Sequence, residues 1–331
     1  MTLIGLMRAA AISMCLIGIA VTTDSSAVSA RSGASRHQAR DVAHQGGENE
    51  APSNTMYAFR HAVAVGADML EMDVESTSDD VLVAIHDAGV DRTTDGTGLV
   101  RDMTYRQVHT LDAAYNFIPG QSAVPGQPAE AYTLRGVRTH DRRPPRGYRA
   151  DDFAVPSMRE VLTTFRHVPL SVEIKGTTDA DTESFLHNAR LLAALVHRMH
   201  RTRDIVVTSF NDDALAEFHR LAPAVALAPG RAGLTAYFLA GVKPIDGTSV
   251  LQVPVRFAGI PVATSEFVAR AHADGYAVQV WFSGTAPENA TTYNQILDTG
   301  ADGLIASWPT LLERVLDERR HPRPSPPHTA T

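Results

Sequence analysis

The chain has 331 residues, of which 44% are hydrophobic and 20% are charged, as in a soluble globular protein with a large core. Its formal net charge of −7 argues against a nucleic-acid partner, because binding to a phosphate backbone needs a basic surface.

The first 30 residues have the pattern of an export signal. Arg8 precedes an apolar run over residues 9–21, and the small residues Val28-Ser29-Ala30 predict cleavage after Ala30. The run is shorter than the ~20 residues of a membrane-spanning helix, so we expect a secreted protein without stable membrane insertion, with an uncleaved anchor as the alternative. The only cysteine, Cys15, lies in this run, and we therefore expect no disulfide in the mature chain.

Two polar segments flank the central part of the chain. Residues 31–40 are small and charged and are interpreted as a flexible leader. Residues 318–331 end in the proline-rich stretch His321–Thr331 and are interpreted as a disordered tail. A single barrel domain is predicted between them, over residues 41–317.

Short β-branched runs alternate with longer amphipathic runs in this domain. The predicted strands are Asp41–His44, Met69–Val74, Leu170–Ile174, Ile205–Ser209, Val225–Ala228, Ser249–Val253, Ala277–Trp281 and Gly303–Ala306. The predicted helices are Thr55–Val65, Ser157–Arg166, Glu183–His200, Asp212–Leu221, Gly233–Gly241, Thr264–Ala273, Glu288–Asp298 and Pro309–Leu316. These alternations predict an α/β fold, a closed (β/α)₈ TIM barrel. A doubly wound open sheet is the alternative, but it usually has a glycine-rich phosphate turn, and neither GxGxxG nor a Walker motif occurs.

Residues 112–152 interrupt the alternation after the second strand. They are rich in Gly, Pro and Arg and show no periodicity. Because a barrel carries its active site on the loops that follow its strands, we interpret this segment as a small insertion that forms a lid or contacts the substrate. A disordered decoration is the alternative.

Polar residues cluster where the first strands end, which is where a barrel carries its chemistry. They are His44, Glu71-Met72-Asp73, His86-Asp87 after the run Val81–Ile85, and Glu173-Ile174-Lys175. Side chains alternate along a strand, so Glu71 and Asp73 share a face, as do Glu173 and Lys175. Three carboxylates on adjacent strands, with no cysteine nearby, predict a hard oxygen site for one divalent cation, Ca²⁺ or Mg²⁺.

Taken singly, each of these features is commonplace, since a lone histidine is usually a surface residue and Glu-x-Lys is usually a solvated ion pair. Their conjunction, in order and at strand ends, favours a catalytic site. The stretch from Val42 to Asp112 resembles the glycerophosphodiester phosphodiesterase family, part of the phosphatidylinositol phospholipase C-like barrel superfamily. The residues that carry the resemblance are His44-Gln45-Gly46, Pro52-Ser53-Asn54-Thr55, Glu71-Met72-Asp73, His86-Asp87 and Asp91-Arg92-Thr93-Thr94-Asp95-Gly96-Thr97-Gly98, followed by Glu173-Ile174-Lys175 and Val280-Trp281.

The resemblance implies hydrolysis of a small glycerophosphodiester to glycerol phosphate and an alcohol. It implies that Glu71, Asp73 and Glu173 bind the metal ion. It also implies that His44 and His86 form the acid–base pair.

The resemblance further implies that Lys175 steadies the substrate phosphate and that Trp281 lines the substrate side of the mouth. Gln45 stands beside His44 where the family has arginine, so it is expected to contact the substrate with a neutral amide in place of a charge. Ser53 stands where the family has glutamate. These two departures are expected to affect the rate and the choice of substrate more than the class of reaction.

Two other functions remain open at this point. One is a lipid hydrolase on the same barrel, similar to phospholipase D, lysophospholipase D or sphingomyelinase, which aromatic or apolar stretches in the insertion would favour. The insertion offers only Tyr115, Phe117, Tyr132 and Tyr148. The other is a non-catalytic binding protein on the same fold, for which Gln45 is the best argument.

Overall fold

The central sheet of the protein is made of parallel strands. The computed structural model describes residues 39–321, so the predicted signal peptide, the leader up to residue 38 and the tail beyond residue 321 lie outside the described residues. The sheet strands are β1 Arg40–Ala43, β2 Met69–Ser76, β3 Leu170–Ile174, β4 Ile205–Thr208, β5 Ala226–Leu227, β6 Val250–Pro254, β7 Ala277–Trp281 and β8 Gly303–Ala306.

These strands curl into a barrel. They pair in the order β5-β4-β3-β2-β1-β8-β7-β6, and every neighbouring pair is parallel. The two ends of this order meet where the Leu227 amide donates to Gly247 and the Ser249 amide donates to Leu227. The predicted (β/α)₈ barrel with an insertion after the second strand is confirmed.

The helices lie between the strands along the chain. Over residues 39–321 they are α1 Met56–Val65, α2 Tyr105–Thr110, α3 Met158–Thr164, α4 Thr182–Arg198, α5 Asp212–Leu221, α6 Arg231–Ala240, α7 Ser265–Ala273, α8 Ala290–Leu297 and α9 Pro309–Arg320. The sequence pattern predicts all of them except α2, which is too short to show a helical period but begins with a capping box between Thr104 and Gln107. No helix in this range has the length and apolar character needed to cross a membrane.

Two boundaries of the predicted domain are corrected at its ends. Arg40 belongs to β1, not to the leader, because its amide donates to the carbonyl of Asp302 at 2.9 Å. Helix α9 continues to Arg320, past the predicted start of the tail at residue 318. Its polar last turn is held because Arg319 donates to Asn294 on α8 and to Asp298, the residue after α8, at 2.8 and 2.7 Å.

The side chains of β2 alternate between two environments, as the pleat of a strand requires. Leu70, Met72 and Val74 belong to a large apolar cluster that includes helix residues. Met69 faces the other way and packs in a small cluster with residues of β1 and β8. The inward row of β2 therefore begins with an apolar residue and continues with acidic ones toward the carboxyl end of the barrel.

The insertion is ordered through its own contacts. The guanidinium of Arg135 stacks over Tyr115 and Tyr132, at 3.9 and 3.6 Å from the ring centroids. Both carboxylate oxygens of Asp112 accept backbone hydrogen bonds, one of them from Gly136 at 2.7 Å. A small antiparallel hairpin, Phe117–Ile118 with Ser122–Ala123, carries the segment to the carboxyl end of the barrel.

One buried carboxyl group of the barrel has neither a cation nor a hydrogen-bond donor beside it in the described residues. Asp41 on β1 is fully buried, and neither of its carboxylate oxygens has a hydrogen-bond partner among the described residues. Burial, together with the charges of Glu313 and Asp68, holds the pKa of Asp41 well above its usual range. A carboxyl whose pKa is raised by folding costs stability as the pH rises above its pKa in the unfolded chain, and this penalty vanishes below that pKa.

We therefore expect Asp41→Asn to raise the free energy of unfolding at about pH 7 by about 1–3 kcal/mol, because folding of the wild type must either bury the carboxylate charge or protonate the carboxyl, and a neutral amide needs neither. At about pH 3 the gain should disappear, because the wild-type carboxyl is then protonated in both states. Urea denaturation at the two pH values measures this difference, with exposed Asp102→Asn as the matched control. An equal effect of Asp41→Asn at both pH values would show that charge is not its cause.

Candidate active site

Three carboxylates meet at the carboxyl ends of β2 and β3. The strand register places Asp73 directly opposite Glu173 and Glu71 opposite Ser171. Oxygen atoms of Glu71, Asp73 and Glu173 lie within 4.8 Å of one another. Glu71 and Asp73 are buried, with 4% and 1% of their surface exposed, whereas Glu173 is half-buried. The predicted convergence of the three carboxylates is present.

Neighbouring groups compensate part of this negative charge. The Lys175 ammonium lies 3.1 Å from Asp73 Oδ1 and 2.8 Å from Glu173 Oε1. Asn54 donates from Nδ2 to Asp73 Oδ2 at 3.0 Å and accepts from the Asp73 amide at 3.3 Å. Burial opposes ionisation of Asp73, but the charges of Lys175, His86 and His44 together outweigh it and lower the pKa of Asp73. Burial and the charge of Asp73 together raise the pKa of Glu71.

The donor set fits one divalent cation. Carboxylate oxygens are the ligands that Ca²⁺ and Mg²⁺ prefer, at distances of about 2.0–2.6 Å. Oxygens within 4.8 Å of one another can share one such ion. One lysine balances only part of the charge of three carboxylates, so Glu71, Asp73 and Glu173 are the residues that would hold a cation.

His86 reaches this cluster because β2 is long. β2 extends to Ser76 and pairs there with an antiparallel segment, Leu82–Ala84. The amide of the following residue, Ile85, donates to the carbonyl of Asp73 at 3.0 Å. The run Val81–Ile85 is thus not a barrel strand but a return segment, and it delivers His86 to the same side of the site as Asp73.

His44 reaches the site through a tight turn after β1. Gly46 has φ +80°, and a Cβ at this position would lie 2.8 Å from the Cβ of Ala58 on α1, so the turn needs glycine. The preceding Gln45 is also left-handed, with φ 50°. Because of this turn, the main-chain N–H of Gln45 donates to Glu71 Oε2 at 2.8 Å. The turn also brings His44 Nε2 to 3.9 Å from the same oxygen.

Each histidine is held by a carboxylate at Nδ1. His44 Nδ1 lies 2.9 Å from Glu48 Oε1, and His86 Nδ1 lies 2.7 Å from Asp87 Oδ1. With the Nδ1 proton donated to a carboxylate, Nε2 is the nitrogen left for proton transfer. Arg92 in turn binds Asp87 through Nε and Nη2, and its charge helps keep the pKa of Asp87 well below the usual range against the effect of burial.

The surrounding acids raise the pKa of both histidines. Burial would lower the pKa of His44, but the hydrogen bond to Glu48 and the charges of Glu48 and Glu71 outweigh it and raise the pKa to about 10. Burial likewise opposes protonation of His86, while Asp87 and the charge of Asp73 raise its pKa. Both imidazoles are therefore matched to carboxylates that stabilise the imidazolium form.

Two of the predicted substrate contacts remain predictions. Trp281 ends β7, is half-buried and packs against the cluster of Val42, Met69 and Ile305, which puts it at the carboxyl end of the barrel. Gln45 is 2% exposed, and its side-chain Oε1 has no hydrogen-bond partner among the described residues. Its contribution in this structure is its backbone, which binds Glu71.

Sequence reasoning did not assign three supporting residues. Asn54 holds Asp73, Glu48 holds His44, and Arg92 holds Asp87. The sequence contains signals for two of them. Asn54 precedes Thr55, the N-cap of α1, and asparagine tolerates the left-handed conformation that it adopts there. Glu48 lies four residues after His44, but only the turn between them makes the spacing meaningful.

Known proteins resemble this chain in sequence. A model of the glycerophosphoryl diester phosphodiesterase family matches residues 44–309. A glycerophosphodiester phosphodiesterase from Bacillus altitudinis is 26% identical over 281 residues, which are 84% of this chain and 98% of the relative.

Solved structures share the fold. A putative glycerophosphoryl diester phosphodiesterase from Silicibacter pomeroyi is 21% identical with a TM-score of 0.64, and the match covers 85% of this chain and 94% of that one. A phosphodiesterase from Oleispira antarctica, in complex with the product sn-glycerol-3-phosphate, is 19% identical with a TM-score of 0.61, and the match covers 84% of this chain and 96% of that one. With its family match over most of the chain, this protein belongs to the glycerophosphoryl diester phosphodiesterase family.

Proposed function

We propose that this enzyme hydrolyses glycerophosphodiesters with one divalent cation, Ca²⁺ or Mg²⁺, held by Glu71, Asp73 and Glu173, and with His44 and His86 as its acid–base pair. The observation that carries the proposal is the shared oxygen site within 4.8 Å, with His44 Nε2 only 3.9 Å from Glu71. We also propose that the enzyme acts outside the cytoplasm, which the signal-like pattern of residues 1–30 supports.

The charged side chains of the site bind the phosphate and the cation. The ammonium group of Lys175 contacts the acidic cluster, and it can bind a non-bridging phosphate oxygen as a point charge. A bound divalent cation supplies further stabilisation of the charge that builds on those oxygens. Asn54 and the main-chain amide of Gln45 hold two of the carboxylates in place, so this part of the site is preorganised for a cation.

The two histidines act as general base and general acid. One imidazole Nε2 removes a proton from the attacking oxygen, and the other donates a proton to the departing alcohol oxygen. Glu48 and Asp87 fix the orientation of the rings and stabilise the imidazolium forms. The attacker is either water, which gives the alcohol and glycerol phosphate directly, or the 2-hydroxyl of the glycerol. In the second case the alcohol departs as a cyclic phosphate forms, and water then opens this ring to give glycerol phosphate. The Oleispira antarctica protein, with its bound sn-glycerol-3-phosphate, supports this product.

The insertion does not favour the lipid-hydrolase alternative. Phe117 and Tyr132 are buried, and Tyr115 is covered by the Arg135 guanidinium. Tyr148 packs against Tyr57 on α1, with ring centroids 4.5 Å apart. The aromatic residues that could have formed an apolar lid are therefore used inside the protein, which favours a small polar substrate.

Metal removal should abolish activity. Exhaustive chelation is expected to lower kcat on glycerophosphocholine by at least about 100-fold, and Ca²⁺ or Mg²⁺ should restore it and raise the melting temperature. Glu173→Gln should raise the metal concentration that gives half-maximal activity. Glu75→Gln is the matched control, because Glu75 lies on the same face of β2 but contacts Asn188 instead of the cluster. Full activity after chelation would contradict the metal assignment.

Loss of either histidine should slow the chemical step. His44→Ala and His86→Ala are each expected to lower kcat by ~10²–10⁴-fold without unfolding the protein. On a nitrophenyl phosphodiester, whose leaving group needs no proton, only the variant that lacks the acid should recover. The control is His61→Ala, because His61 makes a similar contact with Glu50, at 2.9 Å, away from the cluster. Near-normal turnover of an active-site variant on glycerophosphocholine would show that its histidine is misassigned.

Glu48 should act by positioning His44. Its Oε2 accepts from Ser122 in the insertion at 3.0 Å and its Oε1 lies 3.3 Å from Ser307 Oγ, so Glu48 is fixed from two sides. Glu48→Ala is expected to lower kcat by about 10–100-fold, and Glu48→Gln, which keeps the shape, by less. Steady-state kinetics should show the loss in kcat with little change in KM, whereas Glu50→Gln should change neither. A Glu48 variant with an altered melting temperature but a normal kcat would restrict the residue to a structural role.

A further inference from the structure

A cleft lies beside His44 on the side away from the carboxylate cluster. It has a volume of about 320 Å³ and is bounded by the loops that follow β1, β7 and β8. Glu48, the partner of His44, lines it, together with Glu288, Trp308 and Phe282. The cleft therefore begins one side chain beyond the imidazole of His44.

The lining of the cleft is acidic and aromatic. Two glutamates line it, and no lysine, arginine or histidine does so in the described part of the chain. Glu288 Oε2 is held by the Tyr293 hydroxyl at 2.7 Å and the Ser307 amide at 2.8 Å. These neutral donors fix the carboxylate without cancelling its charge.

Trp308 is fixed in the wall of the cleft by the insertion. A Cβ built at Gly120, which has φ +86°, would lie 3.5 Å from Cη2 of the indole ring, so the hairpin of the insertion packs against the ring edge. The Gly120 amide also donates to the carbonyl of Asn49 at 2.7 Å. The aromatic wall is thus part of a rigid frame.

We infer that this cleft binds the ammonium group of an amino-alcohol head group, such as choline or ethanolamine, in the leaving half of the substrate. The indole of Trp308 and the fixed carboxylate of Glu288 attract an alkylated ammonium ion, whereas they offer no comparable gain to a neutral polyol. The inference rests on the proposed function, because the phosphate must lie at the cluster for the head group to reach the cleft. It also assigns His44 as the acid, since the head-group oxygen then departs beside this ring.

Substrate competition tests the site. The wild-type kcat/KM should be higher for glycerophosphocholine than for glycerophosphoglycerol. Glu288→Gln and Trp308→Leu should each lower this ratio by about 3- to 30-fold, mainly through KM for the choline ester. Phe257→Leu and Glu266→Gln, which change exposed residues outside the cleft, should leave it unchanged. If Trp308→Leu lowers the melting temperature, Trp308→Phe and Glu288→Gln decide the question.

Two further measurements separate the possible failures. Free choline should inhibit the wild-type enzyme more strongly than its neutral isostere 3,3-dimethylbutan-1-ol, and Glu288→Gln should remove the difference. Nitrophenyl substrates should rescue His44→Ala and not His86→Ala. Equal kcat/KM for both glycerophosphodiesters, or equal inhibition by the two alcohols, would overturn the head-group site and leave the proposed function standing. Absence of hydrolysis of every glycerophosphodiester in the presence of metal would overturn both.

Discussion

Repulsion among three carboxylates at one end of the barrel is the constraint on which the rest of the site depends. Asp73 and Glu173 are register neighbours, and Glu71 shares their oxygen site. Buried like charges at this spacing raise one another's pKa unless cations or hydrogen-bond donors compensate them. Lys175 between two of them and the main-chain amide at Glu71 supply part of that compensation. The remaining imbalance is what favours a divalent cation.

The length of β2 brings a histidine to this cluster. The strand is longer than its neighbours, and its carboxyl-terminal end pairs beyond the barrel with Leu82–Ala84. That antiparallel return brings His86 to the side of Asp73, while the turn after β1 brings His44 to the side of Glu71. The two imidazoles reach the cluster from different segments, which is the arrangement that proton transfer to two different oxygens requires.

The fold and the carboxylate cluster can be predicted from local sequence patterns, whereas the residues that hold the histidines cannot. Alternation along β2, with Leu70 and Met72 facing one way and Glu71 and Asp73 the other, is enough to predict a shared acidic face. Parallel neighbours with aligned carboxyl ends then add Glu173. By contrast, the environment of Glu48 depends on Ser122 and Ser307, which are far away in the sequence. Its contact with His44 also depends on a left-handed turn that no periodicity reveals, and the aperiodic insertion is ordered by stacking that composition alone does not show.

Lys175 and the proposed cation lie on one side of His44, and this asymmetry connects the departure at Gln45 with the cleft. Glutamine keeps the backbone amide that binds Glu71 but lacks the charge of an arginine, so positive charge is concentrated on the β2–β3 side, at Lys175 and the proposed cation. The opposite side, toward β8, carries Glu48 and Glu288. A zwitterionic phosphodiester matches such a field in one orientation only, with its phosphate toward Lys175 and its ammonium group toward Trp308. A guanidinium at position 45 would weaken the contrast, because it would place positive charge between the two halves of the substrate.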